Sequence, residues 1–551
     1  GRIRNIEKRI TSPSASAFVS ATDAVSKVIT ECKLKPLQDV QVTKENGRKL
    51  EFGKMDISEE NIFSELTWYP VNEQEYRLAW QVFISPINAD DMWLMEVDAA
   101  NGNIAGKINL TVYDKWHDEK NTHNNNITVA STNYVGERQQ QSAFSPKYFT
   151  PAVNSASYRV VPYPAESPTH PGGTPAVVTD PWLLAPGNAT TLKWHNDGTT
   201  DHDSTRGNNV WAAEDRNNTN SVIDKAAVST TPQPNLTFDF VPDFAQSPIL
   251  TSPPNQQFNI TNLFYWNNII HDITYLYGFD EVSGNFQNDN MGRGGAGGDY
   301  VIGDAQDGGG TNNANFATPA DGSRPRMQMY IWTPTNPDRD GDADNSIIVH
   351  EFGHGISNRL TGGPNQSGCV SNGEHGGEGW SDYFGLMLTT NWATATINDG
   401  FNIPRGIGTY VLGQAPTGNG IRNFRYCTNM AINPLVYSAT LPSQVHNRGE
   451  YLCMALWEMT WEMIQQGGIN PNLYNSAAAG GNSAALKLVI EGMKLQPCGP
   501  GFIDVRDAIL EADTMFFGGL YSCSIWRAFA KRGMGRNASQ GSANSVTDQI
   551  P

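Results

Sequence analysis

The chain is 551 residues long, enough for about two to four domains with sizeable cores. Its 56 acidic and 38 basic residues leave a formal net charge of -18, which argues against nucleic acid or an anionic membrane surface as a partner. No run of 18 apolar residues occurs, so no segment is expected to span a bilayer. Pro, Gly, Asn and Thr are plentiful and only 17% of residues are charged, a turn-rich balance typical of extracellular proteins. The sequence opens on Gly1 rather than Met, so a signal peptide is expected to have been removed or left out.

Four regions follow in chain order. Residues 1–114 open with an amphipathic helix over Ala17–Cys32 and continue with strands at Tyr76–Ile84 and Asp91–Val97. Ala99–Asn103 reads as a turn into a further strand. Residues 115–155 are polar, with Asn124-Asn125-Asn126 and Gln139-Gln140-Gln141, and read as a linker or protease-accessible segment. Residues 156–345 are mostly loops and short strands, interrupted by a helix near Thr261–Tyr277. Residues 346–551 are mainly helical, with clear apolar patterning in Tyr451–Ile464, Ala484–Met493 and Val505–Ala512.

Six cysteines are present and none forms a C-x-x-C pair, so a thiolate zinc site is not expected. Cys498 and Cys523 are the expected disulfide pair, closing a loop of about 25 residues worth roughly 3 kcal/mol in the chain-entropy model. Cys453 lies in an apolar helical stretch and reads as a buried free thiol.

The sharpest local signal is His350-Glu351-Phe352-Gly353-His354. On a helix, residues i and i+4 share a face, so both imidazoles can point at one zinc ion. Glu351 sits beside that face, where its carboxylate can act as a base on a water whose pKa the ion has lowered. The rival reading is two exposed histidines on a polar helix. With 10 His in the chain, an H-E-x-x-H arises by chance on the order of once in a hundred such sequences. A third ligand is expected downstream. Glu378 and Asp382 lie four apart on an expected helix, so Glu378 can ligate while Asp382 accepts the other ring N–H of a ligand histidine. Glu374 is the alternative ligand, in a Gly-rich loop without a matching carboxylate at i+4. Metzincins require Gly three residues and His six residues beyond the second motif histidine; Ser357 and Leu360 stand there instead.

HEFGHGISNRLTGG followed by GEGWSD resembles the fungalysins, secreted zinc endopeptidases related to thermolysin. The likeness extends to Asn262–Asn268, Tyr277–Glu281, Asn313–Thr318, Arg326–Tyr330, Arg506–Leu510 and Ile525–Ala530. Residues 1–114 are similar to the fungalysin/thermolysin propeptide more loosely, chiefly over Trp93–Gly106. The resemblance implies His350, His354 and Glu378 as zinc ligands and Glu351 as general base. It implies that His446, within Val445-His446-Asn447-Arg448-Gly449, stabilises the oxyanion. Without it, His446 reads as an ordinary polar residue ahead of a helix that starts near Gly449. It also implies that Asn313, Ala314, Asn315 and Phe316 hold a peptide substrate as an added strand, where the residues alone fit a surface turn.

Asp338, Asp340, Asp342 and Asp344 offer alternate carboxylates that could bind calcium, although Ala343 and Val349 break the EF-hand pattern. The competing reading is a solvated loop in which Asp344 or Asn345 caps the active-site helix. The expected fold is α+β: a thermolysin-like zincin with a β-rich subdomain at 156–345 and a helical one at 346–551, preceded by an α+β propeptide domain at 1–114. The expected function is a secreted, monomeric zinc endopeptidase made as a zymogen. It acts on protein and peptide substrates, and its own propeptide serves as intramolecular inhibitor. Two other readings stay open. One is a catalytically inactive, metal-holding adhesion or binding protein of the same fold, against which the intact Glu351 argues. The other is a zinc hydrolase acting on something other than peptides.

Overall fold

The computed structural model describes residues 19–113, apart from 47, 73, 74 and 88, and residues 152–551, apart from 224. Nearly all of the expected linker, with its Asn and Gln runs, lies outside these residues, as do positions 17 and 18 of the expected first helix. The described residues fall into two compact units, one ending at Val112 and the other made of residues 113 and 152–551.

The first unit begins with a helix, α1 (Ala21–Glu31), started by a capping box: Ser20 Oγ accepts from the Asp23 N–H while Asp23 accepts from the Ser20 N–H. Its apolar stripe, Ala24, Val25, Val28 and Ile29, packs on a six-stranded sheet in which each strand pairs with the next in sequence. The strands are Lys44–Asn46, Lys49–Gly53, Ile62–Asn72, Glu75–Ile84, Trp93–Asp98 and Ile104–Asn109, all antiparallel. Val82, Ile84, Met95 and Val97 face the helix at period two. The turn before the last strand forms where Asp98 Oδ1 accepts from the N–H groups of Ala100 and Asn101, with Gly102 at φ 75°.

The second unit opens with two sheets. In the first, Ser155–Val160 lies between Asn235–Phe238, parallel, and Ala176–Thr179, antiparallel. In the second, Val210–Glu214, Val301–Ala305 and Arg326–Met329 run parallel, and Ala314–Ala317 pairs antiparallel with Arg326–Met329. Helix α2 (Asn255–Leu276) packs against both sheets. It starts six residues before Thr261, the expected beginning. The polar opening Asn255-Gln256-Gln257 hides that start, and α2 is buried nearly all round, so it has no single apolar stripe. Its amides bond inward instead: Asn262 Nδ2 donates to Asn345 Oδ1 and to Asp342 O, and Asn259 Nδ2 to Asp340 Oδ2.

The rest is helical: α3 (Asn345–Leu360), α4 (Gly377–Leu388), the single turn α5 (Asp399–Asn402), α6 (Val445–Gly467), α7 (Gly481–Leu495), α8 (Phe502–Phe517) and α9 (Ser522–Lys531). No helix among the described residues is long and apolar enough to cross a membrane. Asp344 takes the N-cap position of α3 without capping it, because Oδ1 accepts from Ser346 Oγ and Oδ2 from the Val411 N–H. Nor does Asn345 cap it: the Asn345 amide bonds α2 and Ala165 O. The carboxylates of Asp340 and Asp342 turn inward, accepting from Gln306 and Asn259. Cys498 pairs with Cys369 and not with Cys523, which is free and exposed. The whole of α8, about 24 Å long, separates Cys498 from Cys523, so closeness in sequence does not bring them together. Cys453 is a buried free thiol.

In the first unit, burial pushes the Glu96 carboxyl up from 4.5 to about 7, against a 3.5 Å hydrogen bond from Gln81. A raised acid pKa costs stability as pH climbs from 4.5 toward 7, because the folded state resists ionising the group. The cost reaches on the order of 3 kcal/mol at full ionisation. Calorimetry of Glu96→Gln should show the unit's transition raised at pH 8 and nearly unchanged at pH 4.

Candidate active site

Three glycines set the site. An added Cβ at Gly353 of α3 would lie 2.8 Å from Ser381 Cα, and one at Gly379 of α4 would lie 2.7 Å from Gly449 O. One at Gly449 of α6 would lie 2.3 Å from Glu378 Cβ. Only the absence of side chains lets α3, α4 and α6 approach this closely. Their side chains then converge. His350 Nε2 and His354 Nε2 stand 3.1 Å apart, Glu378 Oε2 is 3.3 Å from the first and Glu378 Oε1 is 3.7 Å from the second. Ligands about 2.0–2.1 Å from a tetrahedral zinc lie about 3.3 Å from one another, so the spacing and the N,N,O donor set both fit that ion. All three residues are buried, as is Glu351, which removes the reading of two exposed histidines.

Asp382 orients the first histidine. Its Oδ1 lies 2.8 Å from His350 Nδ1, so that nitrogen donates and Nε2 keeps its lone pair for the ion. Arg422 holds the carboxylate with Nε on Oδ2 at 2.5 Å and NH2 on Oδ1 at 2.7 Å, and Tyr426 OH donates to Oδ2. Burial by itself would raise the Asp382 pKa, but Arg422 and His350 outweigh it and hold the carboxyl well below its usual range. Arg422 and Tyr426 carry no sequence signal: they lie 40 and 44 residues past Asp382 in a turn-rich stretch without a motif.

Glu374 faces elsewhere. Its carboxylate accepts from Tyr437 OH at 2.7 Å and from the Phe502 N–H at 3.2 Å, so the alternative ligand is already engaged. His446 lies within the first turn of α6, not ahead of it, because that helix starts at Val445, where Gln444 accepts from the Asn447 N–H. His446 Nε2 is 3.6 Å from Glu378 Oε2, and Nδ1 contacts Gln444 Nε2. Asn313, Ala314, Asn315 and Phe316 have buried side chains: Asn315 Nδ2 donates to Tyr330 OH, and the Phe316 ring packs on Phe286 and Phe352. A further group of buried carboxylates, Asp215, Asp304 and Asp307, is met by protein cations, with Lys225 Nζ 2.9 Å from Asp215 and Arg326 NH1 2.5 Å from Asp304.

Replacing Asp382 by Asn exchanges a charged acceptor of the His350 ring N–H for a weaker, neutral one and leaves Arg422 buried beside a neutral amide. Metal titration should show affinity reduced by about 10- to 100-fold. Chemical denaturation should show a stability loss of roughly 3–5 kcal/mol.

The fungalysin metallopeptidase (M36) family model matches residues 157–538. Extracellular metalloproteinase 2 of Trichophyton tonsurans is 37% identical over 445 residues, covering 79% of this chain and 66% of its own length. Extracellular metalloproteinase 3 of the same organism is 40% identical over 412 residues, 72% of this chain and 61% of the relative. Extracellular metalloproteinase 2 of Arthroderma otae is 38% identical over 408 residues, 72% and 61% respectively. The chain thus spans 61–66% of the length of these relatives. A site of two histidines and a glutamate on glycine-joined helices, within a match covering most of the chain, places this protein in the fungalysin metallopeptidase family.

Proposed function

We propose that this chain is a secreted zinc endopeptidase, synthesised as a zymogen, with a thermolysin-like catalytic region. The observation that carries the reading is the gathering of His350, His354 and Glu378 donor atoms around one point beside the buried Glu351. The names of the relatives, all extracellular metalloproteinases, support secretion.

His350 Nε2, His354 Nε2 and a Glu378 oxygen would hold the zinc. When bound, the ion supplies Lewis acidity that polarises a scissile carbonyl and makes water a stronger acid. Glu351 takes the proton from the attacking water and later delivers it to the leaving amine. His446 donates from Nε2 to the oxygen on which negative charge develops. Asp382, gripped by Arg422 and Tyr426, keeps His350 in the tautomer that presents Nε2. The backbone of Asn313–Phe316 would hold an extended substrate by strand addition, which needs no side-chain exposure. Residues 1–114 would be the inhibitory propeptide, released by cleavage within 115–155.

Casein digestion with and without a chelator tests the core of the reading, which fails if the chelator leaves activity intact. Glu351→Gln should keep one zinc per chain and lose nearly all turnover, while His446→Ala should keep the zinc and lower kcat by about 10² to 10³ with much less change in KM. Zinc loss in His446→Ala would make that residue a ligand. For latency, the intact chain should be less active than a form cut within 115–155, and added residues 1–114 should inhibit the cut form. Equal activity of both forms refutes the propeptide assignment, whereas Cys32→Ser should leave latency unchanged.

A further inference from the structure

Glu378 is the second residue of α4, and α4 has a weak beginning. Gly376 stands at its N-cap with no side-chain capping bond, and Gly377 and Gly379 fall in its first turn. Such a start carries a high cost in backbone entropy, and the Gly377 N–H is met only from the preceding loop, by His375 Nδ1 at 3.4 Å. The order of the ligand glutamate therefore has to come from outside the helix.

It comes from the loop before it. Residues 361–376 join α3 to α4 and are fastened to three downstream segments, at 437, 498–502 and 543–549. Glu374, fully buried, offers Oε1 to Tyr437 OH at 2.7 Å and to the Phe502 N–H at 3.2 Å, and Oε2 to Gln549 Nε2 at 3.4 Å. Phe502 opens α8, so the carboxylate also meets the positive end of that helix. The Glu374 N–H donates to Ala543 O, and Asn372 Nδ2 donates to Ala543 O and Pro500 O. A Cβ at Gly373 would lie 2.3 Å from Asn544 O, so the tail runs directly against the loop. Cys369 is joined to Cys498, and its carbonyl accepts from the Gly499 N–H. The tail is itself closed by paired hydrogen bonds between Ser539 and Ile550 and held by the Leu441 N–H on Val546 O. The family match ends at residue 538, so residues 539–551 lie beyond it.

We infer that Glu374 and the C-terminal segment 539–551 form a strap that positions Glu378 and thereby sets how tightly the site holds its metal. This rests on the proposed zinc site of His350, His354 and Glu378. Arg448 of α6 fits the arrangement. It is buried, both Glu374 and Glu378 act on its charge, and NH1 donates to Pro442 O and Ser443 O. Glu374 is a positioning residue: it acts on the metal through the loop and does not touch it.

The test is the rate of zinc release from the full-length holoprotein under chelator challenge, read with a zinc indicator rather than by turnover. Glu374→Ala, and a chain ending at residue 538, should release zinc about ten times faster or more. Glu374→Gln, whose carbonyl can still accept from Tyr437 and Phe502, should restore much of the retention. Gln549→Ala, removing one donor, should fall between Glu374→Ala and the unaltered protein. Hydrogen exchange should rise in 361–380 while α6 and α7 stay protected. Unchanged release rates in Glu374→Ala and in the shortened chain overturn the inference. Zinc loss that occurs only together with global unfolding in every variant, with no rescue by Glu374→Gln, overturns it as well. If the unaltered protein takes up no zinc, the proposed function fails rather than the strap.

Discussion

The close approach of α3, α4 and α6 is the constraint on which the rest of the second unit depends. Three donor atoms on two helices must come within about 4 Å of one another, and side chains of His and Glu reach only so far. The helix backbones must therefore lie close together where those side chains begin. Gly353, Gly379 and Gly449 supply that closeness, each at a point where a methyl group would collide with the neighbouring backbone or with the base of a ligand side chain. The same glycines weaken their own helices. Much of the surrounding structure can be read as support for three helices that would otherwise be poorly ordered at the site.

Part of that support is electrostatic. Asp382 is buried among charged neighbours, and a lone carboxyl group there would be driven toward its neutral form, a weaker acceptor for the His350 ring. Arg422 binds it through two nitrogens and Tyr426 through a third donor, so the charge survives burial and the histidine keeps one tautomer. Glu374 is a contrasting case. Burial, only partly offset by its three donors, pushes its carboxyl up to about 7. It is an acceptor in a structural joint, whereas Asp382 is an anion in a charge network. Two carboxylates eight residues apart thus take different roles because one is bound through two nitrogens of an arginine and the other accepts from neutral donors.

What the sequence made legible follows from distance along the chain. His350, Glu351 and His354, and likewise Glu378 and Asp382, interact within one or two helical turns, where spacing fixes geometry. The α1 and α8 helices follow apolar periodicity, which survives in the sequence because each buries one face. The α2 helix does not, since it is buried on every side and its Asn residues serve as internal hydrogen-bonding groups. Arg422, Tyr426 and the partners of Glu374 come from distant segments, and no local pattern announces them. The position of His446 was suggested by family resemblance alone, and its place inside α6 depended on a Gln444 cap that composition does not reveal. The disulfide differs from the expected Cys498–Cys523 pair for a related reason: loop length estimates entropy, but the path of α8 decides which sulfurs meet.

The polar interior explains why α3 in particular stays in register. Hydrophobic packing brings the helix to its neighbours but tolerates small slides, whereas directed bonds at its ends do not. At the N-terminal end, Asn345 accepts from Asn262 of α2 and donates to Ala165 O, and its N–H reaches Glu166 O. At the other end, Arg359 is fully buried and donates to Pro319 O, Gly284 O and Asp299 Oδ2, each at 2.8 Å. Every one of these partners precedes α3 in the chain. The helix that carries His350 and His354 is therefore fixed lengthwise by segments that precede it and pressed sideways against α4, which follows it. A displacement of one residue along α3 would rotate His350 and His354 by about 100° away from Glu378, and it would also strip the buried Arg359 and Asn345 of their partners. The pairing of register with charge satisfaction makes the correct arrangement the one in which Asn345 at one end and Arg359 at the other both keep their bonds.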